Sequence, residues 1–254
     1  MHHTRPSRRS LCALIIAPLL FSASGVPRAP DRLAALPPTV LWAWERPEQL
    51  QFIDTRTTGV AFLAGTVSLR HARFAYRPRF QTLRVPNAAR LIAVVRLETT
   101  SSDLNAEQRS RTVAAIVAAA RAPRVVAVQV DFDATTSQRV FYRELLVDLR
   151  RQLPPAMPIS ITALASWCTY DDWISGLPVD EAVPMLFRMG RDDAEIQRFL
   201  AAGKDFSTPL CRGSLGISTD EPLPHLPAGR RTYIFNPRAW SQDAAARAVA
   251  EVQP

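Results

Sequence analysis

Eight short apolar runs, near 40–45, 59–64, 91–97, 125–131, 159–165, 183–188, 213–217 and 232–236, recur along this chain, each of strand length and bounded by turn residues. Between them lie helical patterns at 47–53, 106–120, 137–152, 171–176, 192–202 and 241–252. The clearest is 137–152, where Val140, Leu145, Leu146 and Leu149 share one face and the pattern stops before Pro154 and Pro155. Strands separated by helices pair in parallel, because a parallel crossover needs a connection long enough to hold a helix. The order therefore predicts a single, somewhat irregular TIM-like (β/α)8 barrel over 40–254. Two connections depart from it. Residues 67–86, rich in arginine and aromatics, read as an irregular excursion or β-hairpin, and 219–229, with Pro222, Pro224 and Pro227, cannot form a regular helix.

The chain begins with Arg5, Arg8 and Arg9, an apolar run from Leu11 to Phe21, and the small residues Ser22-Ala23-Ser24-Gly25. Residues 1–25 thus have the make-up of a secretory signal peptide, followed by a Pro-rich linker at 26–39. The apolar core is short for a membrane span and no second run of about 18 apolar residues follows, so a periplasmic or secreted protein without a stable span is expected. The formal charge of +8 falls by the charges of Arg5, Arg8 and Arg9 once that segment leaves. Lys204 is the only lysine, and the arginines are scattered instead of forming one stripe, which argues against nucleic acid as a partner.

Cys12 would leave with the signal peptide, and Cys168 and Cys211 would remain in a compartment that permits disulfides. Their pairing stays open. Cys168 follows one strand and Cys211 precedes another, which in a simple barrel places them near opposite ends, whereas a bridge needs Cα atoms within about 7 Å. His71 and His225 have no ligand spacing to the cysteines, and neither a metal nor another cofactor is expected. A monomer is expected.

The strand at 125–131 has two unlike faces. Val126, Val128, Val130 and Phe132 lie on one, while the other runs through Gln129 to Asp131 and Asp133, gaining charge toward the C-terminal end. In a parallel barrel the chemistry sits at that end of the strands. The preceding strand repeats the gradient with Ile92, Val94, Arg96 and Glu98, and the first strand adds Glu45 after Trp42 and Trp44. Two carboxylates two apart on a strand have Cα atoms about 6.6–6.8 Å apart, and such a pair can split its pKa values so that one holds a proton and the other stays charged. Glycoside cleavage uses carboxyl pairs about 5–5.5 Å apart for retention or about 6.5–9.5 Å apart for inversion, and both remain open.

The catalytic candidates are Asp133, Asp131, Glu98 and Glu45. Candidates for substrate binding are Arg96, Gln129, Trp44, Trp167, Met185, Phe187, Arg188 and Asn236, taken from the ends of the remaining strands. Two bland readings stand beside these. Arg96 with Asp131 can be a network that only satisfies buried charge, and Glu45-Arg46-Pro47-Glu48 can be the capped start of a helix. Magnesium or calcium would suit the oxygen-rich set, but Arg96 on the same face opposes a cation. No Gly-x-Ser-x-Gly elbow, Walker loop or dinucleotide fingerprint occurs.

The segments Leu41-Trp42-Ala43-Trp44-Glu45-Arg46-Pro47, Val130-Asp131-Phe132-Asp133-Ala134, 160–168 and 183–190 resemble those of an uncharacterised bacterial exported family known as domain of unknown function 3142. More distantly, the chain is similar to the chitinase-like glycoside hydrolases of the eighteenth family, with their Asp-x-x-Asp-x-Asp-x-Glu run on the fourth barrel strand and Met-x-Tyr pair on the sixth. Laying the final Glu on Asp133 puts Asp131 on a matching Asp, with Gln129 and Val126 where that family has Asp, and Met185-x-Phe187 lacks the phenolic hydroxyl. The resemblance implies a glycoside hydrolase-like protein acting on an envelope or extracellular polysaccharide, with Asp133 as general acid/base and Asp131 orienting it or sharing its proton. The alternative is a non-catalytic envelope protein binding glycan or protein, in which Trp42, Trp44, Trp167 and Trp240 matter more than the acids.

Overall fold

The computed structural model describes residues 1–2 and 31–252; the rest of the expected signal peptide, and 26–30 of the expected linker, lie outside the described residues. Among the described residues eleven strands form: β1 Thr39–Ala43, β2 Glu48–Gln49, β3 Thr58–Arg70, β4 Arg73–Pro78, β5 Leu83–Arg84, β6 Leu91–Thr99, β7 Val125–Asp131, β8 Ile159–Leu164, β9 Glu181–Met185, β10 Ser214–Ser218 and β11 Arg231–Phe235. The α-helices are α1 Ala106–Ala120, α2 Arg139–Gln152, α3 Ala165–Thr169, α4 Asp193–Ala201 and α5 Gln242–Val252. Eight strands, in the order β1, β3, β6, β7, β8, β9, β10, β11, pair in parallel, and β11 returns to β1 to close the barrel. Every predicted strand segment overlaps one of them.

Side-chain alternation divides the core in two. Ala93, Val95, Leu97, Val128, Val130, Phe132, Ile159 and Ile161 face outward, where they pack with Val113 and Ile116 of α1 and Tyr142, Leu145, Leu146 and Leu149 of α2. Val40, Trp42, Ile92, Val94, Ala127, Val183, Tyr233 and Phe235 form a separate cluster in the lumen. Full burial of one such apolar side chain stabilises the fold by about 1.5–3 kcal/mol. The amphipathic stripe of α2 is thus explained by the outer layer, while Val140 on its far side is exposed.

The 67–86 excursion is a hairpin. β3 runs well past the barrel rim and β4 pairs with its far half antiparallel. A bulge between Leu63 and Gly65 shifts the register with β6, after which Thr66 pairs Arg96 and Ser68 pairs Glu98. The extra residue flips the alternation, so Thr66 and Ser68 share the inward face of Arg96 and Glu98. Gly65 is required there, since a Cβ would come within 2.5 Å of the Tyr76 ring. The hairpin turn is tied to α1, whose N-terminal Asn105 and Gln108 cap each other, while Gln108 Nε2 donates to the carbonyls of His71 at 2.8 Å and Arg73 at 3.0 Å.

Several expectations are corrected. Residues 47–53 are not a helix: Glu48–Gln49 is a short strand parallel to β5, and the Glu48 carboxylate turns inward to the Trp240 backbone N–H and to Arg46. Residues 171–176 form turns, the helix lying earlier at Ala165–Thr169. The linker reading fails over 31–38, which close the barrel floor. Leu36 is buried in the lumen cluster with Leu33 beside it, and Arg231 donates to the carbonyls of Pro37 and Leu33, both at 3.1 Å. Cys168 and Cys211 are bonded, with Cα atoms 5.9 Å apart. They are not at opposite ends of the barrel, because neither cysteine sits at a strand end: Cys168 lies in α3 and Cys211 in the 3-10 turn Pro209–Cys211, and both elements pack on β9. Among the described residues no helix is long and apolar enough to cross a membrane.

Candidate active site at the barrel mouth

At the C-terminal end of the barrel the inward faces of neighbouring strands turn from apolar to charged. A depression of about 490 Å³ opens there, lined by Trp44, Glu45, Arg96, Glu98, Asp131, Asp133, Met185, Phe187 and Arg188, together with Trp42, Leu63, Thr66, Thr162, Leu164 and Phe235. The four catalytic candidates therefore share one cavity, as do five of the eight substrate-binding candidates.

Asp131 is the buried member of the acidic pair and Asp133 the exposed one. Arg96 Nη1 donates to Asp131 Oδ2 at 3.2 Å and Thr162 Oγ1 to Oδ1 at 2.9 Å, so both carboxylate oxygens are held. Burial nevertheless pushes the Asp131 carboxyl above the ordinary aspartate range. Arg96 opposes that shift, the negative charge of Asp133 adds to it, and the Thr162 hydroxyl opposes it. For Arg96, burial works against the charge, but Asp131, Glu98 and Asp133 outweigh it and hold the guanidinium more firmly protonated than usual. Arg96 also donates through Nε to Glu98 at 3.1 Å and lies 5.5 Å from the centre of the Trp44 ring. Glu45 is paired with Arg77 of the hairpin.

The opposite wall is aromatic. Phe187 stacks on Phe235 with centroids 5.7 Å apart and planes 7° from parallel, and Trp44 meets Phe235 edge-on at 6.0 Å. Arg188 caps this wall in the left-handed region, φ 53°, its backbone N–H donating to both Glu221 oxygens at 3.2 and 3.1 Å. A non-glycine held there persists only where its surroundings over-determine it.

Three candidates lie elsewhere. Gln129 is fully buried one layer below Asp131, where its side chain accepts from Trp42 Nε1 at 3.2 Å and donates to Ser160 Oγ at 3.0 Å. Trp167 belongs to the outer layer, edge-on to Trp173 at 4.9 Å. Asn236 is buried at the rim, accepts from Thr219 Oγ1 at 2.7 Å, and borders a different depression beside α5. Trp240 is core as well, donating to the Trp42 carbonyl at 2.8 Å. Conversely, Thr162 and Phe235 were missed, although alternation through Ser160-Thr162-Leu164 and Tyr233-Phe235 marks them as inward-facing.

The raised Asp131 value predicts a pH signature. The folded protein keeps a proton that the unfolded chain has released, so this contribution to stability is complete below the ordinary aspartate range and fades as pH climbs through the raised value. Urea midpoints across that window should fall for the unmodified protein relative to Asp131→Asn. Parallel curves would mean that Asp131 titrates as an ordinary aspartate.

Fold and site together define a parallel (β/α)8 barrel with an acidic, solvent-reachable mouth. Residues 87–186, which contain β6 to β9 and with them Arg96, Glu98, Asp131, Asp133 and Thr162, match the model of the family described as Domain of unknown function (DUF3142). Among solved structures, the chain is similar to the chitinase domain of the spore coat protein CotE from Clostridium difficile, with a TM-score of 0.40, 12% identity, and coverage of 67% of this chain and 53% of that one. It is also similar to the spore cortex-lytic enzyme SleL from Bacillus cereus, with a TM-score of 0.45, 14% identity, and coverage of 76% and 52%. The chain thus spans about half the length of each. No curated protein matches it in sequence.

Proposed function

We propose that this protein is a glycoside hydrolase-like enzyme that acts on an extracellular or envelope polysaccharide. The observation that carries the reading is the unequal environment of two carboxyls on one strand: Asp131 buried, held by Arg96 and Thr162 and pushed toward its protonated form, and Asp133 exposed in the same cavity. A pair split in this way supplies what cleavage of an acetal needs, a group that can give or take a proton at the bond and a second that orients it or shares its proton. Asp133, the reachable one, would be the general acid/base, with Glu98 or Glu45 as the partner carboxylate. Both partners are paired with arginines, Glu45 with Arg77 and Glu98 with Arg96. Trp44 and Phe187, half-buried at the mouth, offer flat apolar faces of the kind on which sugar rings stack.

The test is turnover and binding measured side by side on cell-wall and exopolysaccharide substrates. Asp133→Asn should lower turnover about a hundredfold or more while keeping affinity, and Asp131→Asn should do the same with an altered pH profile. Binding by the unmodified protein with no turnover on any substrate favours the non-catalytic glycan-binding reading.

A further inference from the structure

We infer that the mouth is a two-sided cleft that takes an extended glycan chain across the carboxylate pair, so that the scissile linkage is internal and not at a chain end. This rests on the hydrolase-like reading and adds the substrate's form to it. A second depression of about 360 Å³ shares Arg96, Glu98, Asp131 and Asp133 with the first, but leaves them in another direction, toward Ser68, Arg70, Thr99 and Thr100. The two lobes meet over the acids. Their linings differ in kind: the first has the aromatic wall of Trp44, Phe187 and Phe235, and the second presents hydroxyls and the Arg70 guanidinium. Each volume lies in the range of a small-molecule site, so a ligand positioned for attack at Asp133 has room on both sides.

The second lobe is built. It exists because β3 continues beyond the rim and because the bulge at Leu63/Gly65 turns Thr66 and Ser68 onto the inward face of Arg96 and Glu98. The hairpin that supports it is pinned by Gln108 to the start of α1. Arg70 is exposed where it lines this lobe, so its guanidinium donors can reach a ligand there. Aromatic stacking holds a sugar by its face, and a hydroxyl-and-guanidinium wall holds it by its edge, so two consecutive units of one chain gripped in these two ways are fixed in register with the acids between them.

The test uses ladders of cello-oligosaccharides, chito-oligosaccharides and oligouronates from disaccharide to octasaccharide. Titration of the Asp133→Asn protein should show the octasaccharide of one ladder bound about tenfold tighter than its disaccharide, the worth of one or two net hydrogen bonds. Ser68→Trp, which fills the second lobe, should abolish that advantage. Thr100→Trp, at the exposed rim of the same lobe, does so from a position where misfolding is no concern. With the unmodified protein, early products should be internal fragments of many lengths. Release of single terminal sugars, with both tryptophan variants inert, overturns the two-sided cleft and leaves the hydrolase reading standing. Length-dependent binding that both variants abolish, without any turnover, supports the cleft and overturns the hydrolase. Absence of binding by every ladder overturns the cleft.

Discussion

Replacing Cys168 and Cys211 together by serine is expected to lower stability by about 4 kcal/mol, the chain-entropy value for a closed loop of this size. The bridge joins residues separated by 43 positions, so the loop it closes contains the end of α3, all of β9 and α4, and the turn leading to β10. Without it the unfolded chain gains the freedom of that whole loop, while the folded state keeps the contacts that bring the sulfurs together. Those contacts are visible: Ser207 donates to the Cys168 carbonyl through its backbone N–H at 3.0 Å and through Oγ at 2.9 Å. Against a typical domain stability of about 5–15 kcal/mol the loss is large. Guanidinium titration of the doubly substituted protein should show a lower midpoint, with a slope that does not fall because the unfolded state expands. Since both sulfurs are buried, reductant should act on the native protein slowly, through opening of the β9 wall. A loss below about 1 kcal/mol would mean that the denatured chain is held compact without the bridge.

Much of the fold was legible because period-two alternation is a local property. The two faces of 125–133 and of 91–98 assign Asp131, Asp133, Arg96 and Glu98 to the lumen, and all four line one cavity. What alternation cannot give is height. Gln129 lies on the same face as Asp131, but one layer lower, where Trp42 and Ser160 seal it from solvent. Nor does alternation show where a strand stops. The chain turns helical at Ala165, which swings Trp167 into the outer layer, and β11 ends at Phe235, after which Asn236 leaves the lumen. The bulge in β3 was invisible for a related reason, since one inserted residue exchanges the two faces without changing composition. Cys168 and Cys211 needed the path of the connections around β9, which no count of strand ends contains.

The barrel floor supplies the second large effect: Glu181→Ala is expected to cost about 3–5 kcal/mol, the range for breaking a buried pair and stranding its partner. Glu181 opens β9 with its carboxylate turned into the lumen, 1% exposed. Arg231 donates to its Oε2 at 3.0 Å, and the Tyr233 hydroxyl donates to Oε1. Burial, with Glu181 adding to it, pushes the Tyr233 phenol well above its ordinary value, so the hydroxyl stays a donor. Removing the carboxylate leaves a guanidinium that is 13% exposed with no counter-charge. Arg231 also carries the plug through the carbonyls of Leu33 and Pro37, so a disturbed guanidinium loosens residues 31–38 as well. Glu181→Gln, whose amide oxygen can still accept from Arg231 while its NH2 donates to the Tyr233 hydroxyl oxygen, should cost less than the alanine change, about 1–3 kcal/mol. Urea midpoints of the two variants check the order. Hydrogen exchange at 31–38 separates the mechanisms, because loss of the plug raises exchange there while a purely electrostatic cost is spread over the whole barrel. An alanine variant within about 1 kcal/mol of the unmodified protein would mean that water or a rearranged Arg231 already compensates the charge, and that the apolar lumen of Trp42, Ile92 and Val183 closes the floor without it.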